Sequence, residues 1–383
     1  MLTRVSLHRF RNLPDLAWEV GPGTHLVVGR NGLGKTSLLE AVYLAATARS
    51  FRTAQIEDCA RRESAEPPWR GTGDPTRPDP ASGVEFAVRA EVAGPPLGVL
   101  AAAWADHSLT RSLDGKSVPL ATYLGVLPVV AWTGREDEIL TGVPERRRRM
   151  MDAGLVAERA DRVGVLARHR RVLAHKRELL RRRQPGIETW NRLLAESGTE
   201  LARLRADWVE RLSRRLDEAL GAADRGFPPV VLRYEPSPPG ALGGAEAFFA
   251  SLAEAAAEEV RAGRPCIGSH LDRLSILWGG VDVSRVASAG ERKALGLLLT
   301  AAQAALVRDA GRAPTVLVDD VDAELDLEAL EAVWGVLAEG RQVLATTSRR
   351  EVSKRLRGVI EWGLEAGLAR VSDAPADSGN HIL

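Results

Sequence analysis

Two hydrophobic rhythms run along the chain. Residues 2–7 alternate apolar and polar positions, and His25-Leu26-Val27-Val28 is a short apolar run, so both predict strands. Residues 37–48 carry Leu38, Leu39, Val42 and Tyr43 at helical spacing. Strand-like runs recur at 84–92 and 98–103, and residues 112–118 carry a turn at Asp114-Gly115. From residue 146 to 220 the rhythm becomes helical, with one break at Gln184-Pro185-Gly186. Leu155, Val163, Leu166, Leu173 and Leu180 precede the break; Trp190, Leu193, Leu194, Leu201, Leu204, Trp208, Leu212 and Leu216 follow it. These spacings predict two amphipathic helices in an antiparallel hairpin, each arm reaching about 50 Å. A Gly/Pro-rich connector (223–245) and a helix (245–262) come next. From residue 275 the order is strand, turn, helix (290–309), strand (315–319), helix (326–338) and strand (341–346). The pattern predicts an α/β domain split into 1–120 and 265–383 around a mainly helical insertion, 121–264. Residues 66–83 are rich in Pro and Gly and read as a flexible surface insert.

Bulk properties narrow the class. At 383 residues the chain is long enough for two domains. The 52 Lys+Arg nearly cancel the 51 Asp+Glu, so any basic surface must be local. Two isolated cysteines exclude a disulfide framework and a zinc pattern. The N-terminal residues form no signal peptide, and no run of about 18 apolar residues exists. A cytoplasmic protein without a membrane partner is expected.

Three motifs carry chemistry. Gly29-Arg30-Asn31-Gly32-Leu33-Gly34-Lys35-Thr36 fits the phosphate-loop pattern G-x-x-x-x-G-K-[ST], with a predicted strand before it and a helix after it. Backbone N–H groups of such a loop, with Ser37 behind it, surround the phosphates of ATP, and the helix N-terminus adds partial positive charge. Lys35 would reach the β- and γ-phosphates and Thr36 would ligate Mg²⁺. Thr315-Val316-Leu317-Val318-Asp319-Asp320 is an apolar strand ending in two carboxylates. Asp319 would hold Mg²⁺ and Asp320 would orient or deprotonate the attacking water. Ser288-Ala289-Gly290-Glu291-Arg292-Lys293 opens an apolar helix; alone it is an ordinary N-cap. Its place before Asp319-Asp320 matches the signature of ABC-type ATPases, in which Ser288 and Gly290 would touch the γ-phosphate bound by a second subunit.

Beyond these motifs, nearly the whole chain resembles the RecF family of SMC-like bacterial recombination mediators. Leu7-His8-Arg9-Phe10-Arg11-Asn12 is similar to that family's L-x-x-F-R-N, which implies nucleotide contacts for Arg11 and Asn12. Ala48-Arg49-Ser50-Phe51-Arg52-Thr53 is similar to its R-[AS]-F-R-[ST], and the segment 144–152 to its P-x-x-R-R-x-[FL]-[LM]-D. Asp319-Asp320-Val321-Asp322-Ala323-Glu324-Leu325-Asp326 resembles its D-D-V-x-[SA]-E-L-D, with 323–326 as the D-loop. The signature departs from the family, reading Ser-Ala-Gly-Glu against Ser-Gln-Gly-Gln. The lid segment 132–137 is only loosely similar, and no histidine stands at the switch position in Ala345-Thr346-Thr347-Ser348. The short Asp320 and the missing histidine both point to slow hydrolysis.

The resemblance implies an ABC/SMC-type ATPase head and an ATP-dependent head-to-head homodimer. That dimer would bind double-stranded DNA near single-strand gaps or duplex/single-strand junctions and help load the RecA recombinase with RecR, in recombinational DNA repair, replication and the SOS response. Weak, Mg²⁺-dependent, DNA-stimulated hydrolysis would release it. Residues 145–215 hold twenty Lys/Arg against ten Asp/Glu, so Arg146, Arg147, Arg149, Arg181, Arg182 and Arg183 are candidate DNA contacts. The same charges would equally suit a solvated helical face, and the resemblance makes the groove on top of the two heads as good a DNA site as the arm. A conventional ABC energy-coupling subunit is the alternative reading of the ATPase motifs.

Overall fold

The computed structural model describes residues 1–61, 85–94, 96–133, 137–364 and 368–370. The expected insert at 66–83 lies outside the described residues. The chain divides into two compact units: Met1–Pro119 with Val126–Arg135 and Arg312–Leu383, and Leu120–Gly125 with Glu136–Gly311. Residues 265–311, expected with the ATPase domain, cluster with the second unit, whose long helices Ile187–Ala223 and Ala289–Asp309 pack together.

The first unit contains two sheets. Five antiparallel strands run in the order Leu16–Glu19, Leu2–His8, Phe86–Val92, Gly98–Ala105, Ser108–Leu113. Their alternating burial, as at Val5, Leu7, Val88, Ala90, Leu100 and Ala102, turns one face to the core. The other sheet orders Ala369–Arg370, Val359–Gly363, Thr24–Val28, Gln342–Thr347, Thr315–Val318, Val129–Trp132, parallel except at its first edge. Three of its strands are wholly buried, which fits their apolar stretches Leu26–Val28, Val316–Val318 and Val343–Ala345. Gln342 joins the two sheets. Its Nε2 donates to the carbonyls of Leu2 (2.7 Å) and Gly21 (2.9 Å), and its Oε1 accepts from Leu2 N–H (3.1 Å) and the Thr315 hydroxyl (2.9 Å). This buried amide therefore has all four partners it can use.

The second unit is built on helices Pro144–Glu158, Arg162–Arg182, Ile187–Ala223, Ala245–Ala262 and Ala289–Asp309. Arg162–Arg182 and Ile187–Ala223 are antiparallel neighbours: Arg168 meets Glu200, His169 meets Ser197, and His175 stacks on Trp190. Two details differ from the hydrophobic pattern. A second break at residues 159–161 separates Pro144–Glu158 from the hairpin, so the arms are unequal, about 32 Å and 56 Å at 1.5 Å per residue. The connector 223–245 also contains the strand Val230–Glu235, which pairs with Arg273–Trp278. Half of its positions face away from the core, which hid it among the surrounding Gly and Pro residues.

A buried arginine fastens this unit. Arg205 donates to Asp152 Oδ1 (2.7 and 3.1 Å), Asp272 Oδ2 (2.7 Å) and the Ser269 carbonyl (2.8 Å). Asp272 also accepts from the Tyr234 hydroxyl (2.5 Å) and the Ser237 N–H (2.8 Å). Close by, burial and then the Arg205 charge push His169 down to about 4. Burial and Arg177 do the same for His270, also to about 4. Below about pH 6.5 the unfolded chain takes up protons at these two positions and the folded chain does not, so stability falls as pH drops toward about 4. We expect the urea midpoint to fall between pH 6.5 and about 5, above most carboxylate titration. His169→Gln should flatten that dependence.

Candidate nucleotide-binding site

The phosphate loop leaves the C-terminal end of Thr24–Val28 and enters the helix Lys35–Thr47. Such a strand end is where parallel sheets place ligand groups. Gly34 has φ +100°, and a Cβ there would lie 2.4 Å from Leu13 Cδ2, so glycine is required on both counts. Gly29 and Gly34 are buried, whereas Arg30, Asn31 and Gly32 face solvent. Lys35 is buried, and its ammonium donates to the carbonyls of Gly29 (2.8 Å) and Arg30 (3.4 Å) and to Asn31 Oδ1 (3.3 Å). Positive charge thus sits against the loop that the helix N-terminus also polarises. Leu33 is half-buried against Gly29, with its Cδ1 3.3 Å from where a Cβ would stand.

Asp319 completes the site from the end of Thr315–Val318. The Thr36 hydroxyl donates to Asp319 Oδ2 at 2.7 Å, so a residue of the loop and one of the acidic strand end meet. Asp319 is nearly buried, while Asp320 is exposed and has φ +44°. A hydroxyl and a carboxylate are hard oxygen donors that suit Mg²⁺, which is commonly held by one or two carboxylates and substrate phosphates. Among the described residues no group of three or more His, Cys, Asp or Glu could hold a metal by itself. The donor set therefore fits Mg²⁺ brought in with a nucleotide.

The turn after Leu2–His8 straps the loop down. Asn12 Nδ2 donates to the Gly32 carbonyl (2.9 Å), and Asn12 Oδ1 accepts from the Ser37 hydroxyl (3.0 Å). Arg11 behaves otherwise. Its Nε and Nη2 donate to Glu40 (2.9 and 2.6 Å) and its Nη1 to the Asp58 carbonyl (2.6 Å). The guanidinium is thus held beside the phosphate-loop helix by three hydrogen bonds.

Glu40, which sequence reasoning missed, is the centre of this arrangement. It is fully buried on the phosphate-loop helix and also accepts from the Ser50 hydroxyl (2.5 Å) and Arg52 Nη1 (3.3 Å). Arg52 also lies 3.5 Å from the Ser37 hydroxyl. The segment 48–53 thus folds back onto the helix that begins at the loop, with Phe51 set edge-on to Tyr43. The signal was present: one carboxylate among the apolar positions of that helix. Burial and then the Glu40 charge raise the Cys59 thiol to about 12, which makes it unreactive near neutral pH.

Comparison with known proteins agrees with this geometry. No family model matches the chain. The DNA replication and repair protein RecF of Roseiflexus castenholzii is 31% identical over 394 residues, covering 96% of this chain and 98% of that protein. The protein of the same name from Frankia alni is 32% identical over 368 residues, covering 91% and 93%. The chain belongs to the RecF family. A solved structure of the recombination mediator protein RecF with ATP, in the RecFOR pathway, matches with TM-score 0.79 at 20% identity, covering 97% of this chain and 99% of that one. An Smc head bound to the C-terminal winged-helix domain of ScpA matches with TM-score 0.54 at 14% identity. The fold is that of the ABC/SMC-type ATPase head.

The RecF-like segments outside the loop have visible local roles. Ser288 caps Ala289–Asp309: its N–H and hydroxyl both donate to Glu291 Oε2 (2.7 Å each), and its oxygen accepts from Glu291 N–H (3.3 Å). Those donors hold the Glu291 carboxyl below its usual range. Gly290 lies half-buried in the first turn, and Arg292 donates to Asp137 (3.2 Å) and the Ala287 carbonyl (2.8 Å). Of the lid segment, residues 134–136 lie outside the described residues.

The arginines separate by environment. Arg147 is buried and donates to the carbonyls of Ile139 (2.8 Å) and Leu274 (2.9 Å), with Asp282 3.4 Å away. It is not available to DNA. Arg146 pairs with Glu138, and exposed Arg149 with Glu145 at 2.5 Å. Arg181 and Arg182 share the half-exposed Glu178, and Arg183 ends its helix with φ +54°. Among the described residues no helix is long and apolar enough to cross a membrane.

Glu40 gives this site its test. Removing the buried charge leaves the Arg11 guanidinium unpaired, so Glu40→Gln should destabilise by about 3 kcal/mol. Arg52→Ala, at a half-exposed partner, should change stability by under about 1 kcal/mol. Urea denaturation of the two variants provides the measurement.

Proposed function

We propose that this chain is a slow Mg²⁺-dependent ATPase of recombinational DNA repair that works as an ATP-gated homodimer on double-stranded DNA. The contact between Thr36 and Asp319 carries the reading, because it joins the phosphate loop to an acidic strand end. Thr36 and Asp319 would hold Mg²⁺, which supplies charge neutralisation at the β- and γ-phosphates. Lys35 and the N–H groups of Gly29, Arg30, Asn31, Gly32, Leu33 and Gly34 bind the phosphates, with Ser37 and Asn12 bracing the loop. Asp320 orients the attacking water and takes its proton as the new O–P bond forms at the γ-phosphorus. The bond to the bridging oxygen breaks, and ADP leaves with that electron pair.

Ser288 and Gly290 act in trans on the partner's γ-phosphate, so ATP holds two copies together and hydrolysis separates them. This follows from the RecF family signature; in this chain Glu291 stands where that signature has Gln, which adds a negative charge and weakens the closure. DNA is bound through its phosphates. Exposed Arg149, Arg181, Arg182 and Arg183, with half-buried Arg146, are the candidate contacts, because exposed ion pairs are weak enough to be exchanged for phosphates. Gap or junction preference, and cooperation with RecR in loading the RecA recombinase, follow from the same family membership, as does a cytoplasmic location.

Analytical ultracentrifugation should give a dimer with ATP and Mg²⁺ and a monomer without them, and Lys35→Met should stay monomeric. Duplex DNA should stimulate hydrolysis, and its affinity should fall steeply with salt. A chain that stays monomeric under ATP would sink the clamp. Hydrolysis indifferent to DNA would favour an energy-coupling subunit instead.

A further inference from the structure

The strand Gln342–Thr347 lies between the strand that leads into the phosphate loop and the strand that ends in Asp319. Its last two residues meet four consecutive positions of the acidic turn. The Thr346 hydroxyl donates to Asp319 Oδ1 (2.7 Å) and accepts from the Asp320 N–H (2.8 Å), and the Thr346 carbonyl accepts from the Val321 N–H (2.9 Å). The Thr347 hydroxyl donates to Asp322 Oδ1 (2.6 Å). Thr346 and Thr347 are both fully buried.

Asp320 needs such support. Its φ of +44° is a left-handed conformation that few non-glycine residues adopt, and such strain persists only where the surroundings impose it. Asp319 has its two oxygens divided: Oδ2 receives the Thr36 hydroxyl and Oδ1 the Thr346 hydroxyl. Only a small side chain with one donor and one acceptor can serve Asp319 and Asp320 from Thr346's place. Valine has the same shape and neither function.

We propose that Thr346 is a positioning residue for ATP hydrolysis, its one hydroxyl fixing both the rotation of the Asp319 carboxylate and the backbone from which Asp320 projects. The proposal rests on the ATPase reading above. It gives the switch-histidine region of this chain a task that needs no histidine. Such supporting groups commonly change metal affinity or activity by about 10–100-fold.

Thr346→Val should lower kcat by about 10–100-fold with little change in KM for ATP. It should also raise, by about tenfold, the Mg²⁺ concentration at which ATP gives half of its thermal stabilisation of the protein, which is a readout independent of turnover. Thr346→Ser, which keeps the hydroxyl, should restore most of both. Thr315→Val is the control: it deletes an equally buried hydroxyl, bonded to Gln342 at the far end of the neighbouring strand, and should lose stability without losing turnover. If Thr346→Val does not fold, the comparison of Thr346→Ala with Thr346→Ser reads the same hydroxyl. Unchanged kcat and Mg²⁺ requirement in a folded hydroxyl-less variant overturn the proposal, as does an equal kcat loss in Thr315→Val. A wild-type chain that hydrolyses no ATP with Mg²⁺ overturns the ATPase reading itself, and this proposal with it.

Discussion

The site depends on one topological constraint: the phosphate loop and the acidic pair leave strands that are not neighbours. Gln342–Thr347 lies between them. The gap is closed by short hydroxyl side chains, Thr36 from one side and Thr346 from the middle, both on Asp319. Each bond has a charged acceptor and little or no solvent competition, the conditions under which a hydrogen bond orients most strongly. The strand order therefore fixes which residues can support the chemistry.

Glu40 plays the corresponding part on the other side of the loop. A carboxylate with no exposed surface is tolerated only because two guanidiniums and a hydroxyl surround it. Those partners come from the turn after the first strand and from the segment following the phosphate-loop helix. One buried charge thus recruits two RecF-like segments to the helix that begins at the loop. In return, Arg11 is held by the protein, and its neighbour Asn12 does the work of bracing the loop.

The helical unit shows why charge density is a poor guide to a binding surface. The arginine run in 144–152 reads as the most basic stretch of the chain, yet Arg147 is buried and Arg148 donates to the Asp272 carbonyl (3.0 Å). Asp152, at the end of the same segment, holds Arg205. Much of that run is a joint between helices and the strand Arg273–Trp278. The second run, Arg181 to Arg183, faces solvent at the turn of the hairpin.

Periodicity and motif spacing were enough to read the parallel-sheet ATPase core, most helices of the second unit, and the residues of the phosphate loop and acidic strand end. These features are local: a glycine-rich turn between strand and helix, or an apolar strand ending in Asp, is written in adjacent residues. The strand Val230–Glu235 and the grouping of 265–311 with the helical unit depended on packing between distant segments. The same holds for Glu40, Thr346, the capture of Arg11 and the burial of Arg147. The sequence by itself determined that a phosphate-loop motif and an acidic strand end are present and on which elements they lie. Only the tertiary structure decided which hydroxyl reaches which carboxylate and which arginine is consumed inside the protein, because those pairings are set by strand order and burial, which bring together residues more than three hundred positions apart, as with Gln342 and Leu2.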